Sequence, residues 1–202
     1  METKQERAYR LLLRYRIPIW EEWGRGKAKT IRHLLDEIEN GECELVERRS
    51  RYFPFRKQLV RVLRVLVIRI SRNDGYVLVE TERYFNDGRD ITRPLDASLA
   101  EKMFPHERAR SAAVRALQEE LQIFLHADEY PLLLPGGETR GFASSTHFPG
   151  LLTDRRVQIV NFKMPQKYVH DEYREVQKDK TTVFGWIPWS ERPWKSKKEN
   201  RR

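Results

Sequence analysis

Read at a period of two, the segment from Val60 to Ile70 places Val60, Val62, Arg64, Leu66, Ile68 and Ile70 on one face. Arg61, Leu63, Val65, Val67 and Arg69 lie on the other. Both faces are apolar in the middle. A strand of this kind is stable only where other elements cover it on two sides, so it predicts a central strand of a sheet. The turn residues Arg72-Asn73-Asp74-Gly75 follow, and Tyr76 to Phe85 reads as a second strand ending at Asn86-Asp87-Gly88. Together they predict a hairpin.

The remaining pattern places helices around this sheet. Residues 1 to 16 read as a basic, partly amphipathic helix, and the chain turns at Gly24 and Gly26. Thr30 offers an N-cap, and Ile31, Leu34, Leu35 and Ile38 recur at helical spacing until Asn40-Gly41 stops the run. A further helix is expected from about Ala109 to Phe124, with Ala113, Leu117 and Leu121 in its apolar stripe. Residues 131 to 150, rich in Gly and Pro, read as loop, with Leu134-Pro135-Gly136-Gly137 inside it. Val157 to Met164 and Thr181 to Trp186 read as strands. The expected class is α/β, with a mixed sheet, helices on its faces and an N-terminal helical extension. The expected division is residues 1–50 for the extension, 51–190 for the main domain and 191–202 for a basic tail expected to be disordered.

Composition narrows the setting. Of 202 residues, 39% are hydrophobic and 34% charged, enough for a core under a heavily charged surface. No run approaches the roughly 20 apolar residues needed to span a bilayer, and no secretory signal is visible. Cys43 stands alone, so no intrachain disulfide can form, and the expected setting is cytoplasmic or another reducing intracellular compartment. The net charge of +9 is concentrated in residues 51–72, with seven Arg or Lys and no acid, and in the tail from Arg192. Such segments attract phosphates or anionic polymers. Arg64, on an otherwise apolar strand face, would pair with an internal carboxylate or reach a ligand phosphate with its fork.

The most specific pattern is Glu107-x7-Arg115-x-Leu117-x-Glu119-Glu120-x-x-Ile123. On a helix, Arg115 and Glu119 are one turn apart and can pair. Glu119 and Glu120, about 100° apart, can share a hard cation that takes oxygen ligands.

This spacing resembles the Nudix box, Gly-x5-Glu-x7-Arg-Glu-U-x-Glu-Glu-x-Gly-U, where U is bulky and aliphatic. Glu107, Arg115, Leu117, Glu119, Glu120 and Ile123 match it. The opening glycine is Glu101 here, the glutamate after the arginine is Ala116, and the late glycine is Gln122. Trp20-x-x-Trp23-Gly24, Phe148-Pro149-Gly150-Leu151 and Asp179-Lys180-Thr181-Thr182 resemble an uncharacterised Nudix-related group. The resemblance implies a Nudix-type α/β/α sandwich. It also implies Mg²⁺ or Mn²⁺ at Glu119 and Glu120, support of the box by Glu107 and Arg115, and hydrolysis of a nucleoside-diphosphate-linked substrate. Ala116 can act neither as metal ligand nor as base, which implies weak or altered activity. Some Nudix enzymes place the base on a late loop. The segment from Gln166 to Lys178 carries His170, Asp171, Glu172 and Glu175, and Glu172 and Glu175 are the candidate catalytic acids. The alternative is a non-catalytic Nudix-fold module that binds a nucleotide, an RNA or a protein partner.

Overall fold

The computed structural model describes residues 2–50, 55–86 and 97–192. The elements in order are α1 (Lys4–Arg14), α2 (Ile31–Glu39), β1 (Cys43–Arg49), β2 (Lys57–Ser71), β3 (Tyr76–Phe85), β4 (Leu99–Lys102), α3 (Ala109–Leu121), β5 (Leu133–Ser144), β6 (Leu152–Lys163), β7 (Glu172–Val176) and β8 (Lys180–Pro188). The α/β class with N-terminal helices is as the sequence predicts. Residues 87–88 of the hairpin's end and the tail from residue 193 lie outside the described residues.

The chain forms two compact units that interleave along the sequence. The first comprises residues 1–65, 102–106 and 138–157, and the second 66–101, 107–137 and 158–202. Strands β2, β4, β5 and β6 contribute residues to both.

In the first unit, α1 and α2 begin at threonine caps, Thr3 and Thr30, each in a capping box. Leu11, Leu12, Leu34 and Ile38 supply their buried faces. Strand β1 pairs antiparallel with the start of β2, from Cys43 opposite Leu63 to Arg49 opposite Lys57. The sequence reading placed residues 1–50 in a helical extension and expected no strand here. The charged residues Glu44, Glu47, Arg48 and Arg49 blur the alternation, and only the pairing reveals it. The Trp23 and Phe148 rings lie 5.1 Å apart and the indole N–H donates to Pro149 O. Gly150 has φ +77, and a side chain on it would meet Pro18 at 2.4 Å. Two of the segments quoted for the resemblance are therefore packed together.

The strands run in the order β5-β6-β2-β3-β8-β7, with β1 and β4 also paired with β2. Leu66, Ile68 and Ile70 on one face are fully buried, and Val65 on the other is 6% exposed, as expected of a strand covered on both faces. The hairpin turn is present: Arg72 N–H donates to Tyr76 O, and Gly75 takes φ +85. Strands β3 and β8 pair antiparallel with a register shift between Glu80 and Glu82.

The structure corrects two further expectations. Residues 133–144, read as loop, form β5. As the first strand in the order it tolerates Pro135, because an edge strand can spare an N–H. Gly136 is required there, since a Cβ would lie 2.7 Å from Ile159 Cγ2. Residues 172–176, read as part of a charged loop, form β7 against β8, and the alternation of that strand decides which acid points where.

Helix α3 coincides with the box. Ala112, Ala113, Ala116, Leu117 and Leu121 are buried along it. Its C-cap, Gln122, adopts the left-handed conformation at φ 57, ψ 31, the geometry a glycine takes freely. The glycine of the resemblance is gone but its backbone shape is kept. Buried Ile123, whose N–H reaches Leu117 O, holds it. Gln122→Gly is therefore expected to stabilise the protein by about 0.5–1 kcal/mol, the relief of left-handed strain less the extra chain entropy of glycine. Urea unfolding measures it, and a fall in stability would show that the Gln122 side chain is itself needed.

Candidate functional site

The box helix presents two different acids. Arg115 grips Glu107 with two donors, Nε to Oε1 and Nη2 to Oε2, both at 3.2 Å, and turns Nη1 to Glu119 Oε2 at 3.1 Å. Glu107 is mostly covered and Glu119 is exposed. Arg115 thus ties the loop before the helix to its third turn, and Glu119 belongs to that tie.

Glu120, one residue on, faces an open cleft. The cleft is built wholly within the second unit. Its charged lining is Glu80 and Arg83 from β3, Glu101 from β4, Glu120 from α3, Glu175 from β7 and Lys180 from β8. The register shift at Thr81 explains why Glu80 and Arg83, three apart, both reach it. Alternation along β7 places Glu175 on the partly covered side with buried Tyr173. Glu172 is exposed and bonded to Arg174 at 2.6 Å. His170 and Asp171 are not among the lining residues.

The cleft is electrostatically unbalanced. Arg83 is spent on Glu80 at 2.6 Å, and Lys180 is the other cation in the lining. Burial pushes the Glu120 carboxyl up, and facing Glu175 and Glu101 raise it further, to about 8, with Lys180 pulling the other way. Glu120 is deep among protein atoms, yet the open mouth leaves part of it wet. Thr182 in the wall is 1% exposed, and its Oγ1 has no hydrogen-bond partner among the described residues. The excess carboxylate and the unsatisfied hydroxyl both suit a hard cation with bound water. The acids line one cleft without forming a closed ligating array: among the described residues no group of three or more His, Cys, Asp or Glu is gathered for a metal ion.

Of the residues singled out from the sequence, the structure brings Glu120 and Glu175 into one cleft. Glu119 goes to Arg115 and Glu172 to the solvent side of β7. Arg64, in the first unit, is half-buried and donates to Phe104 O at 3.1 Å. Arg61, three residues earlier and on the other face of β2, is buried, at 6% exposure. Sequence reasoning missed Glu101 as a cleft acid, although an acid at the box's opening glycine position was a visible signal. It also missed Glu80, Arg83, Lys180 and Thr182, which no local motif marks. Ala116 is fully buried and absent from the lining, so a glutamate placed there would be walled in rather than delivered to the cleft.

No helix among the described residues is long and apolar enough to cross a membrane. No family model matches the chain, and no curated protein matches it. Solved structures do. A C. elegans Ap4A hydrolase is 14% identical with TM-score 0.34, covering 63% of this chain and 80% of that one. The E. coli dihydroneopterin triphosphate pyrophosphohydrolase is 16% identical with TM-score 0.38, covering 65% and 90%. A Nudix hydrolase from M. smegmatis, RenU, is 16% identical with TM-score 0.34, covering 71% and 79%.

Proposed function

We propose that the chain is a Nudix-type, metal-dependent hydrolase of nucleoside-diphosphate-linked compounds, with its catalytic acids redistributed around the box. The observation that carries this reading is the meeting of Glu120, a box acid, with Glu175 and Glu101 in one cleft. Glu120 and Glu101 would hold Mg²⁺ or Mn²⁺ in place of the Glu119–Glu120 pair expected from the sequence. A divalent ion there would neutralise diphosphate charge and acidify bound water. Glu175 accepts the proton of the attacking water. Lys180 faces the diphosphate oxygens as a point charge. Glu107 and Arg115 fix α3 so that Glu120 keeps its direction.

The cleft's own charge supports the cation requirement. Four carboxylates against Arg83 and Lys180 would repel a diphosphate unless positive charge were added. A second reading, a non-catalytic module binding a nucleotide, RNA or protein, is favoured by buried Ala116 at the position of the usual base.

Calorimetry with Mn²⁺ and a hydrolysis panel of nucleotide sugars, dinucleoside polyphosphates and ADP-ribose separates the two. Glu175→Gln is expected to lower kcat by about 10²–10⁴, the usual worth of a general base, with folding intact. Glu172→Gln is expected to change nothing. Equal losses in both variants would contradict the β7 register assignment. Absence of Mn²⁺ binding and of hydrolysis in the parent would transfer the case to the binding module.

A further inference from the structure

The first unit carries a second cluster with a different chemistry. Asp154 on β6 has no exposed surface. Arg140 on β5 clasps it with Nε to Oδ1 at 2.6 Å and Nη2 to Oδ2 at 2.8 Å. Arg48 on β1 donates to Oδ2 at 2.6 Å, and Arg156, two residues along β6, stands 3.6 Å from the same oxygen. Three strands thus deliver three guanidiniums to one carboxylate.

One carboxylate balances one of the three charges. The arginine side chains are not buried with it: they retain 31%, 59% and 51% exposure for Arg48, Arg140 and Arg156. Asp154 is covered by arginines that themselves face water, so it lies just beneath the surface. A structural ion pair needs one arginine. Three held in fixed directions form a preorganised anion site, because the ordering cost of each long side chain is already met by Asp154. The hydrogen bond from Arg140 is the strongest influence on Asp154. Burial opposes it and Arg48 reinforces it, leaving the carboxyl at about 2, so Asp154 stays ionised at any physiological pH. A guanidinium has five donors in a planar fork that fits phosphate oxygens.

The neighbouring surface suggests what the phosphates belong to. Phe142 follows Arg140 by two residues on β5, on the same side of the strand, and is 49% exposed. Glu138 occupies the other neighbouring position on that side, so an anion is directed toward the Phe142 end. A cationic track with an exposed aromatic beside it is the arrangement that takes single-stranded nucleic acid, phosphates on the arginines and a base on the ring.

We infer that Arg48, Arg140 and Arg156, held by Asp154 beside Phe142, form a binding site for the phosphate backbone of single-stranded nucleic acid. The site goes beyond the hydrolase reading, and none of its residues lines the cleft.

The test uses the full chain and a fluorescent 20-nucleotide oligo(U), followed by anisotropy across a salt series. Combined Arg140→Gln and Arg156→Gln is expected to weaken binding at least tenfold near 100 mM salt. It should also reduce the log–log salt slope by about 1.4, two contacts at roughly 0.7 each for a single strand. Arg110→Gln, which removes one charge at an exposed position of α3, should leave the slope within error of the parent. Phe142→Ala should weaken affinity severalfold without moving the slope. Asp154→Asn separates positioning from net charge. It makes the protein more positive, yet binding should fall because the arginines lose their anchor. Tighter binding in Asp154→Asn would overturn the site, and the exposed double variant keeps the test valid should Asp154→Asn fail to fold. A double variant no different from Arg110→Gln would also overturn it. So would affinity that disappears only on Lys195→Gln, Lys197→Gln and Lys198→Gln, or binding to phosphatidylserine vesicles with none to oligo(U).

Discussion

Glu120→Gln is expected to raise the melting temperature at pH 8, in chelator, by about 5–10 °C while removing divalent-cation binding. In the cation-free protein Glu120 is pushed to about 8 by burial and then by Glu175 and Glu101. An unfolded chain would ionise it near 4.5. Between these values the native state binds more protons than the unfolded state, so stability falls as pH rises from about 4.5 to 8 and levels off above it. Each unit is worth about 1.4 kcal/mol. With a reduction for the wet mouth of the cleft, the accumulated cost at pH 8 is about 2–4 kcal/mol, or roughly 2–4 °C per kcal/mol in a chain of this size. A glutamine of the same shape does not titrate and escapes that cost. The variant's melting temperature should therefore differ little from the parent's at pH 5 and exceed it increasingly toward pH 8. Added Mg²⁺ should stabilise the parent at pH 8, by about 2.7 kcal/mol at a hundred times its Kd, and leave Glu120→Gln unmoved. A variant less stable than the parent at pH 8 would mean that Glu120 is satisfied without a cation, and the cleft would lose its claim to chemistry.

The parts of this site that the sequence reveals are those set by local rules. Thr30 and Asn40-Gly41 mark the two ends of α2 because a cap and a stop act within one turn. The box spacing places Arg115 beside Glu119 for the same reason, and the observed pair lies at 3.1 Å. The acids of the cleft obey other rules. Glu119 and Glu120 are adjacent in sequence, yet one faces Arg115 and the other the cleft, and only packing of the alanine-rich face of α3 decides which. Glu172 and Glu175 cannot be separated until β7 is known to be a strand, and β7 exists because β8 pairs with it from Val176 opposite Thr181 to Glu172 opposite Gly185. Glu101 reaches the cleft through β4, a four-residue strand that gives almost no periodic signal. Edge strand β5 hides behind Pro135 and Gly136 because what excludes a residue from a central strand is tolerated at an edge.

Glu37→Gln is expected to destabilise the protein by about 3–5 kcal/mol, a fall in melting temperature of about 10 °C. Glu37, on α2, is 5% exposed and Arg61, on β2, is 6% exposed. Arg61 Nη2 donates to Glu37 at 2.5 Å, Lys29 Nζ at 2.8 Å, and Lys102 Nζ stands 3.0 Å away. The Arg61 guanidinium also lies 5.0 Å from the centre of the Phe148 ring. Glutamine keeps the shape of the acid but removes the charge, leaving a buried guanidinium with its partner neutralised. Burial is the strongest single influence on Glu37 and pushes its carboxyl up. Arg61, Lys29 and Lys102 together outweigh it and bring the group to about 2, below its ordinary 4.5. The native state therefore holds fewer protons than the unfolded state in that interval. The stabilisation from Glu37 is complete above about pH 4.5 and is lost as pH falls toward 2. At about 1.4 kcal/mol per unit it comes to about 3 kcal/mol, in line with the cost of breaking a buried pair. Cys43, 3.7 Å from Glu37, is pushed up to about 11 chiefly by burial, against the pull of Arg61. It stays a neutral thiol and adds no competing charge. Thermal melts of the parent and Glu37→Gln from pH 7 to pH 3 should converge as the acid protonates. The double variant Glu37→Gln with Arg61→Met should recover much of the loss, since an apolar side chain of similar length removes the stranded charge. A single variant within about 2 °C of the parent at pH 7, or a double variant worse than the single, would show that Arg61 is stabilised by Phe148 and the surrounding backbone rather than by Glu37.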